Sequence, residues 1–344
     1  MVEKINKDST NLWKARYNPS AHRSTKMPNA SSWPTYLLEE RWRVVDKIRN
    51  MEFSPQMIQH RRQLFEFVEE LPMRFDAREK WPHCQSIATV PDQGACGSCW
   101  AVAATAAMSD RVCIHSNGTN APILSVQDVL SCCEYCGNCV LGGTPMTAFI
   151  YWIENGIVSG TESGCKPYNV SLDCGHPCTV NTYETTFKKM KCEKSCQTSY
   201  HQQKTFKDDK VFGSLAYKIT WQYPWVKLKM EGKALSWNER IDEFLDIVKR
   251  EIYLFGPIVV ELSATEELLL YASGVYHHPH DHEKRTLYSH IVRIIGWDTE
   301  HNDTNWLAVN SWGPQWGDYG LFRIRAKSLH TNAAFGFQAA LPRS

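Results

Sequence analysis

Q-G-A-C-G-S-C-W, from Gln93 to Trp100, decides the reading of this chain, and it continues as A-V-A-A-T-A-A-M from Ala101 to Met108. The continuation has no charge, no Gly and no Pro, so it reads as a helix buried on nearly every face. Cys99 then stands at the N-terminus of that helix, where unsatisfied backbone N–H groups and the positive end of the dipole favour an anion. Its thiol is therefore expected to titrate low and to supply a nucleophilic thiolate.

Thirteen cysteines are an odd number; setting one nucleophile aside leaves enough for six disulfides. Most cysteines in such a chain are disulfide halves, and this many point to an oxidising compartment. N-x-S/T sequons at Asn29, Asn117, Asn169 and Asn302 agree with a secretory route and mark candidate glycosylation sites. The opening M-V-E-K-I-N-K-D lacks the apolar core of a signal peptide, so a signal segment is expected to lie outside this sequence. Lys+Arg 38 against Asp+Glu 37 gives no basic field for nucleic acid. No apolar run reaches the ~18 residues of a membrane span. A soluble protein of one to three domains is expected.

Residues 1 to about 70 carry no cysteine and many charges, unlike all that follows. Ser54 and Pro55 read as the N-cap and first residue of a helix, with an earlier helix over about 36–49. A charged helical region here suggests a pro-segment; an ordinary helical subdomain is the alternative. Ser236 with Glu239 forms a capping-box pattern, and Ile241, Phe244, Leu245, Val248 and Ile252 make a helical core stripe ending before Gly256 and Pro257.

From Leu71 onward the chain resembles cathepsin B-like cysteine proteases of the papain family. The residues carrying the resemblance are L-P-M-R-F-D-A-R-E-K-W-P-H-C at 71–84, C-G-S-C-W at 96–100, R-V-C-I-H at 111–115, S-C-C at 131–133, G-C-K-P-Y at 164–168 and S-G-V-Y at 273–276. His290 before I-V-R-I-I-G-W and Asn310 opening N-S-W-G complete it. T-N-L-W and Y-N-P within 5–19 are similar to the start of that family's propeptide. The resemblance implies an α+β, two-lobed papain-like fold after a propeptide at 1–70. The peptidase domain, 71–344, would have a mainly helical left lobe over about 71–200 and a β-barrel-like right lobe over about 201–344, with the site between them.

It also implies roles. Cys99 is the nucleophile and His290 its proton partner; Asn310 orients the imidazole and Trp312 shields that bond. Gln93 matches the oxyanion donor, and Gly142 and Gly143 match the wall of the first substrate pocket. Gly336 stands where cathepsin B has a glutamate at the floor of the second pocket, so apolar side chains are expected there over basic ones. In the occluding loop, here C-G-H-P-C at 174–178, His176 matches the first of two histidines, Pro177 replaces the second, and Gln315 replaces an acidic anchor. Endopeptidase over carboxydipeptidase activity is expected from that. Tyr288 and Ser289 replace two glycines before the histidine, on the leaving-group side. The implied bridges are Cys84–Cys113, Cys96–Cys139, Cys132–Cys192, Cys133–Cys136, Cys165–Cys196 and Cys174–Cys178.

No cofactor and no metal is expected: zinc at C-C-E-Y-C-G-N-C (132–139) is disfavoured against disulfides, and H-H-P-H-D-H (277–282) reads as a solvated loop. The aromatic stretch 221–235 reads as an insertion that either covers apolar surface or offers a patch to a partner. Expected partners are protein or peptide substrates and cystatin-like inhibitors, for a monomer in the lysosome or outside the cell. The competing expectation is an inactive protease homologue acting as a secreted binding protein.

Overall fold

A computed structural model describes residues 1–18, 35–172, 180–200, 204–219, 236–278, 286–300, 303–330 and 337–343. The N-terminal segment forms α1 (Val2–Lys7), β1 (Trp13–Ala15), α2 (Thr35–Met51) and α3 (Pro55–Glu66). Ser54 caps α3 by accepting from the Met57 N–H at 3.2 Å, with Pro55 in the first turn where a missing N–H loses nothing. After β2 (Arg74–Asp76) come α4 (Cys99–His115), α5 (Val126–Cys132), the hairpin β3 (Gly137–Asn138) with β4 (Gly142–Gly143), α6 (Pro145–Asn155) and α7 (Val180–Lys189). The remainder is β5 (Gly213–Ile219), α8 (Trp237–Phe255), β6 (Ile258–Thr265), β7 (Tyr271–Tyr276), β8 (Thr286–Glu300), β9 (Asp303–Val309), β10 (Leu321–Arg325) and β11 (Phe337–Pro342).

The large sheet runs β1-β7-β10-β9-β8-β6-β11-β5, with β2 also on β8. Its end strands β1 and β5 are not paired with each other, so among the described residues the sheet is open, and the barrel-like expectation is corrected to that extent. One core joins this sheet to α3 and α8; a second gathers α4, α5 and α6 around the fully buried Trp100 and Trp152. Helix α8 begins with the anticipated capping box at Ser236 and Glu239 and ends at Gly256, whose φ of 97° suits glycine.

Helix α4 is buried over most of its length and lies against β8 and β11. Two buried arginines fix it. Arg293 of β8 donates to Asp110 Oδ2 at 2.7 Å and to the carbonyls of Ser86, Ile87 and Thr89. Arg111 donates to Glu251 Oε1 on α8 at 2.8 Å and to the Tyr217 hydroxyl at 3.0 Å. The second carboxylate oxygen of Glu251 meets His60 Nε2 of α3 at 2.8 Å, so the N-terminal segment is tied into the same buried network.

Five of the six implied disulfides are present: Cys84–Cys113, Cys96–Cys139, Cys132–Cys192, Cys133–Cys136 and Cys165–Cys196. Among the described cysteines Cys99 is the free one. Cys174, Cys178, His176 and Gly336 lie outside the described residues, as do Asn29, Asn302 and the stretch 221–235. Of the histidine-rich run, only His277 and His278 are described. Asn117 and Asn169 are both exposed.

Candidate active site

Cys99 is the first residue of α4, as its sequence context implied. Ser98, the N-cap residue, does not cap the helix with its side chain; its hydroxyl pairs with the Tyr168 hydroxyl at 2.9 Å, and Tyr168 donates to the Gln93 carbonyl at 2.6 Å. The Ala101 and Val102 amides donate to the Ser98 carbonyl, which leaves those of Cys99 and Trp100 to the sulfur.

The opposite side of the site comes from β8 and from the turn after β9. His290 on β8 is fully buried and presents Nε2 to Asn310 Oδ1 at 2.7 Å. An amide oxygen only accepts, so the bond assigns the proton to Nε2 and leaves Nδ1 as the nitrogen that exchanges protons with a thiol. Asn310 Oδ1 also accepts from the Ser311 N–H at 2.8 Å, which holds the amide in that orientation. Trp312 stacks on the imidazole with ring centroids 4.7 Å apart and is itself buried.

Gln93 is joined to the same turn. Its N–H donates to the Ser311 carbonyl at 2.9 Å, and its Oε1 accepts from the Ser311 hydroxyl at 2.6 Å. Nε2 donates to the Cys96 carbonyl at 3.0 Å, and a primary amide retains a second hydrogen for an oxyanion. Ser311 and Tyr168 therefore position Gln93, a role not read from the sequence. Ser311 stood inside the quoted N-S-W-G; nothing in the string told its hydroxyl from a surface one.

Gly142 and Gly143 form β4. A side chain at Gly143 would press within 2.5 Å of Trp100, whereas Gly142, at φ 70°, has open space where a Cβ would be. Gly142 is thus the one that bares its backbone, and Gly143 is a glycine because of the indole beneath it. Gln315 contributes its carbonyl to Arg16 of the N-terminal segment at 3.2 Å.

The structure differs from the expected low thiol pKa. Burial pushes the Cys99 thiol up to about 11, while backbone hydrogen bonds from Ile291 and Trp100 pull it down and the Glu261 charge raises it further. Near the sulfur stand Tyr168 and Tyr288, both of whose hydroxyls feel a charge at Cys99, and the Tyr288 ring meets His290 edge-on at 6.1 Å. Desolvation by this surround outweighs the helix terminus. Proton transfer to His290 is what would supply the thiolate. Glu261 was also missed; a single charge inside I-V-V-E-L reads as the outer face of a strand.

Residues 71–337 match the family described as papain family cysteine protease. Cathepsin B-like cysteine proteinase 3 of Caenorhabditis elegans is 39% identical over 261 residues, 75% of this chain and 62% of that relative's length. Cathepsin B-like cysteine proteinase of Schistosoma japonicum is 36% identical over 266 residues, 74% of this chain and 68% of the relative. Among solved structures, procathepsin B S9 from Trypanosoma congolense superposes with a TM-score of 0.66 at 26% identity, covering 100% of this chain and 97% of that one. With a free cysteine at a helix N-terminus, a histidine held by an asparagine under a tryptophan, and this match over most of its length, the chain belongs to the papain family of cysteine proteases and is similar within it to the cathepsin B-like members.

Proposed function

We propose that this chain is the zymogen of a cysteine endopeptidase. The observation that carries the reading is the His290–Asn310 pair under Trp312, set beside a free Cys99 whose sulfur is reached by the N–H of Ile291, the residue after the histidine. Cys99 gives its proton to His290 Nδ1 as its sulfur attacks the peptide carbonyl carbon. The resulting oxyanion is held by the Cys99 N–H and the second hydrogen of Gln93 Nε2. Collapse breaks the C–N bond, His290 returns its proton to the leaving amine, and a thioester remains. Water, deprotonated by His290, then hydrolyses the thioester and regenerates the thiol. Labelling acid-activated protein with an epoxide peptide inhibitor is expected to place one adduct on Cys99; an unlabelled Cys99 would overturn the reading.

Residues 1–70 are read as the propeptide, supported by their docking through β1 on β7 and His60 on Glu251, and by the start of the family match at Leu71. N-terminal sequencing of the active enzyme should begin near Leu71, and retention of residues 1–60 would refute this. Five disulfides and exposed sequons at Asn117 and Asn169 support a secretory route, lysosomal or extracellular.

Endopeptidase activity over carboxydipeptidase activity is supported by the shortened C-G-H-P-C, with a single histidine to meet a terminal carboxylate. A peptide digested with a free and with an amidated C-terminus should be cut internally in both forms. Serial dipeptide release that amidation blocks would contradict it. The competing reading, an inactive homologue that binds without cleaving, draws on Tyr288, whose buried hydroxyl has no hydrogen-bond partner among the described residues. The same labelling experiment separates the two.

A further inference from the structure

We propose that Glu261 determines the substrate preference of this site, its carboxylate receiving the cationic side chain, Arg or Lys, of the substrate's second residue on the acyl side. The inference rests on the protease reading above and deepens it.

Glu261 is the one charge in the apolar first half of β6. It pairs across the sheet with Ile291, so the two side chains share a face. Ile291 is the residue whose N–H reaches the Cys99 sulfur, and the Glu261 charge acts on that thiol. The side chain keeps partial exposure, so a ligand arriving at Cys99 can touch it. Among the described residues its hydrogen bond comes from the hydroxyl of Ser289, the residue before His290. Lys218 on β5 acts on it through space without an ion pair among the described residues. An ionised carboxylate accepts about four hydrogen bonds, and one hydroxyl leaves most of that capacity unused. Burial already pushes the carboxyl up, so an arriving guanidinium or ammonium removes a desolvation penalty that the resting site carries.

Its position at the second pocket follows from the register together with the first-pocket wall that the family resemblance implies. In an extended substrate successive side chains point to opposite sides. With the first against the Gly142–Gly143 wall, the second turns toward β6 and β8. Phe337, which follows Gly336 in sequence, pairs with Val260, the neighbour of Glu261. The apolar preference expected from Gly336 alone therefore omitted a carboxylate carried by the adjacent strand. Ile291 gives the aliphatic stem of Arg or Lys an apolar wall, with the charged head at Glu261.

Two fluorogenic dipeptides sharing Arg at the first position, with Arg or Phe at the second, test this on acid-activated protein whose sites are counted with the epoxide inhibitor. Glu261→Gln is expected to lower the Arg-to-Phe ratio of kcat/KM at least tenfold, chiefly through KM. Glu261→Lys should lower it further and raise turnover of a Glu-containing analogue. An unchanged ratio in a Glu261→Gln protein that labels at full stoichiometry overturns the assignment. If that variant does not fold, Glu261→Ala judged by the same ratio decides. A wild type that takes no label and cleaves neither substrate overturns the protease reading itself.

Discussion

Cys99→Ser is expected to abolish peptide hydrolysis, lowering kcat by at least about a thousandfold, as loss of the nucleophile does in enzymes whose catalytic groups act as a unit. A serine hydroxyl at the same helix terminus does not ionise in the working range, and His290 is held by Asn310 for exchange with a thiol. The variant should keep its fold, because the free thiol closes no loop while the five observed bridges remain. Activity against a fluorogenic dipeptide, read beside a thermal unfolding curve, checks both halves. Retained hydrolysis would remove Cys99 from the mechanism, and lost folding would make it structural.

The second large effect concerns stability. Glu251 is fully buried, with Arg111 at 2.8 Å, His60 at 2.8 Å and the Tyr217 hydroxyl at 2.5 Å. Burial alone would push its carboxyl up, but the charges of His60 and Arg111, with hydrogen bonds from His60 and Tyr217, hold it down to about 2. Glu251→Ala leaves the buried Arg111 guanidinium without its counter-charge, facing only the Tyr217 hydroxyl and backbone carbonyls, and should destabilise the full-length chain by about 3–5 kcal/mol in denaturant titrations at neutral pH. A loss under about 1 kcal/mol would show that the network is not energetically coupled. The pH dependence has a definite sign. A carboxyl with a depressed folded-state pKa contributes fully above its unfolded value of 4.5 and loses that contribution as pH falls toward 2. The wild type should therefore weaken over that window, and Glu251→Ala should lack this component.

Local rules carried the sequence reading as far as local physics reaches. Cys99 at a helix start, the Ser54–Pro55 entry to α3, and the capping box and Gly256 exit of α8 all depend on a few consecutive residues, and all appear in the structure. The helix α2 spans Thr35–Met51, two residues longer at its C-terminal end than the 36–49 expected, since helix ends fray and have no sharp signal without a cap. What the sequence did not disclose is what distant strands bring together. His60 meets Glu251 across 191 positions. Ser311 reaches Gln93 across 218, and Glu261 lies beside the nucleophile only because β6 pairs with β8 in a particular register. The direction of the thiol's shift was missed for the same reason: the helix terminus was visible at Cys99, but the burial that raises the thiol comes from segments distant in sequence.

The short strand β1 adds a last consequence. It closes the outer side of β7, with Trp13 against Tyr276 at 5.3 Å and the Leu12 carbonyl so near Gly274 that a Cβ there would meet it at 2.3 Å. If residues 1–70 leave as proposed, β7 is held on one side, by β10 through two residue pairs. A row of backbone donors and acceptors then faces solvent, shaped for an extended segment with an aromatic side chain. The departing fragment carries the strand, with Trp13, that already fits that row.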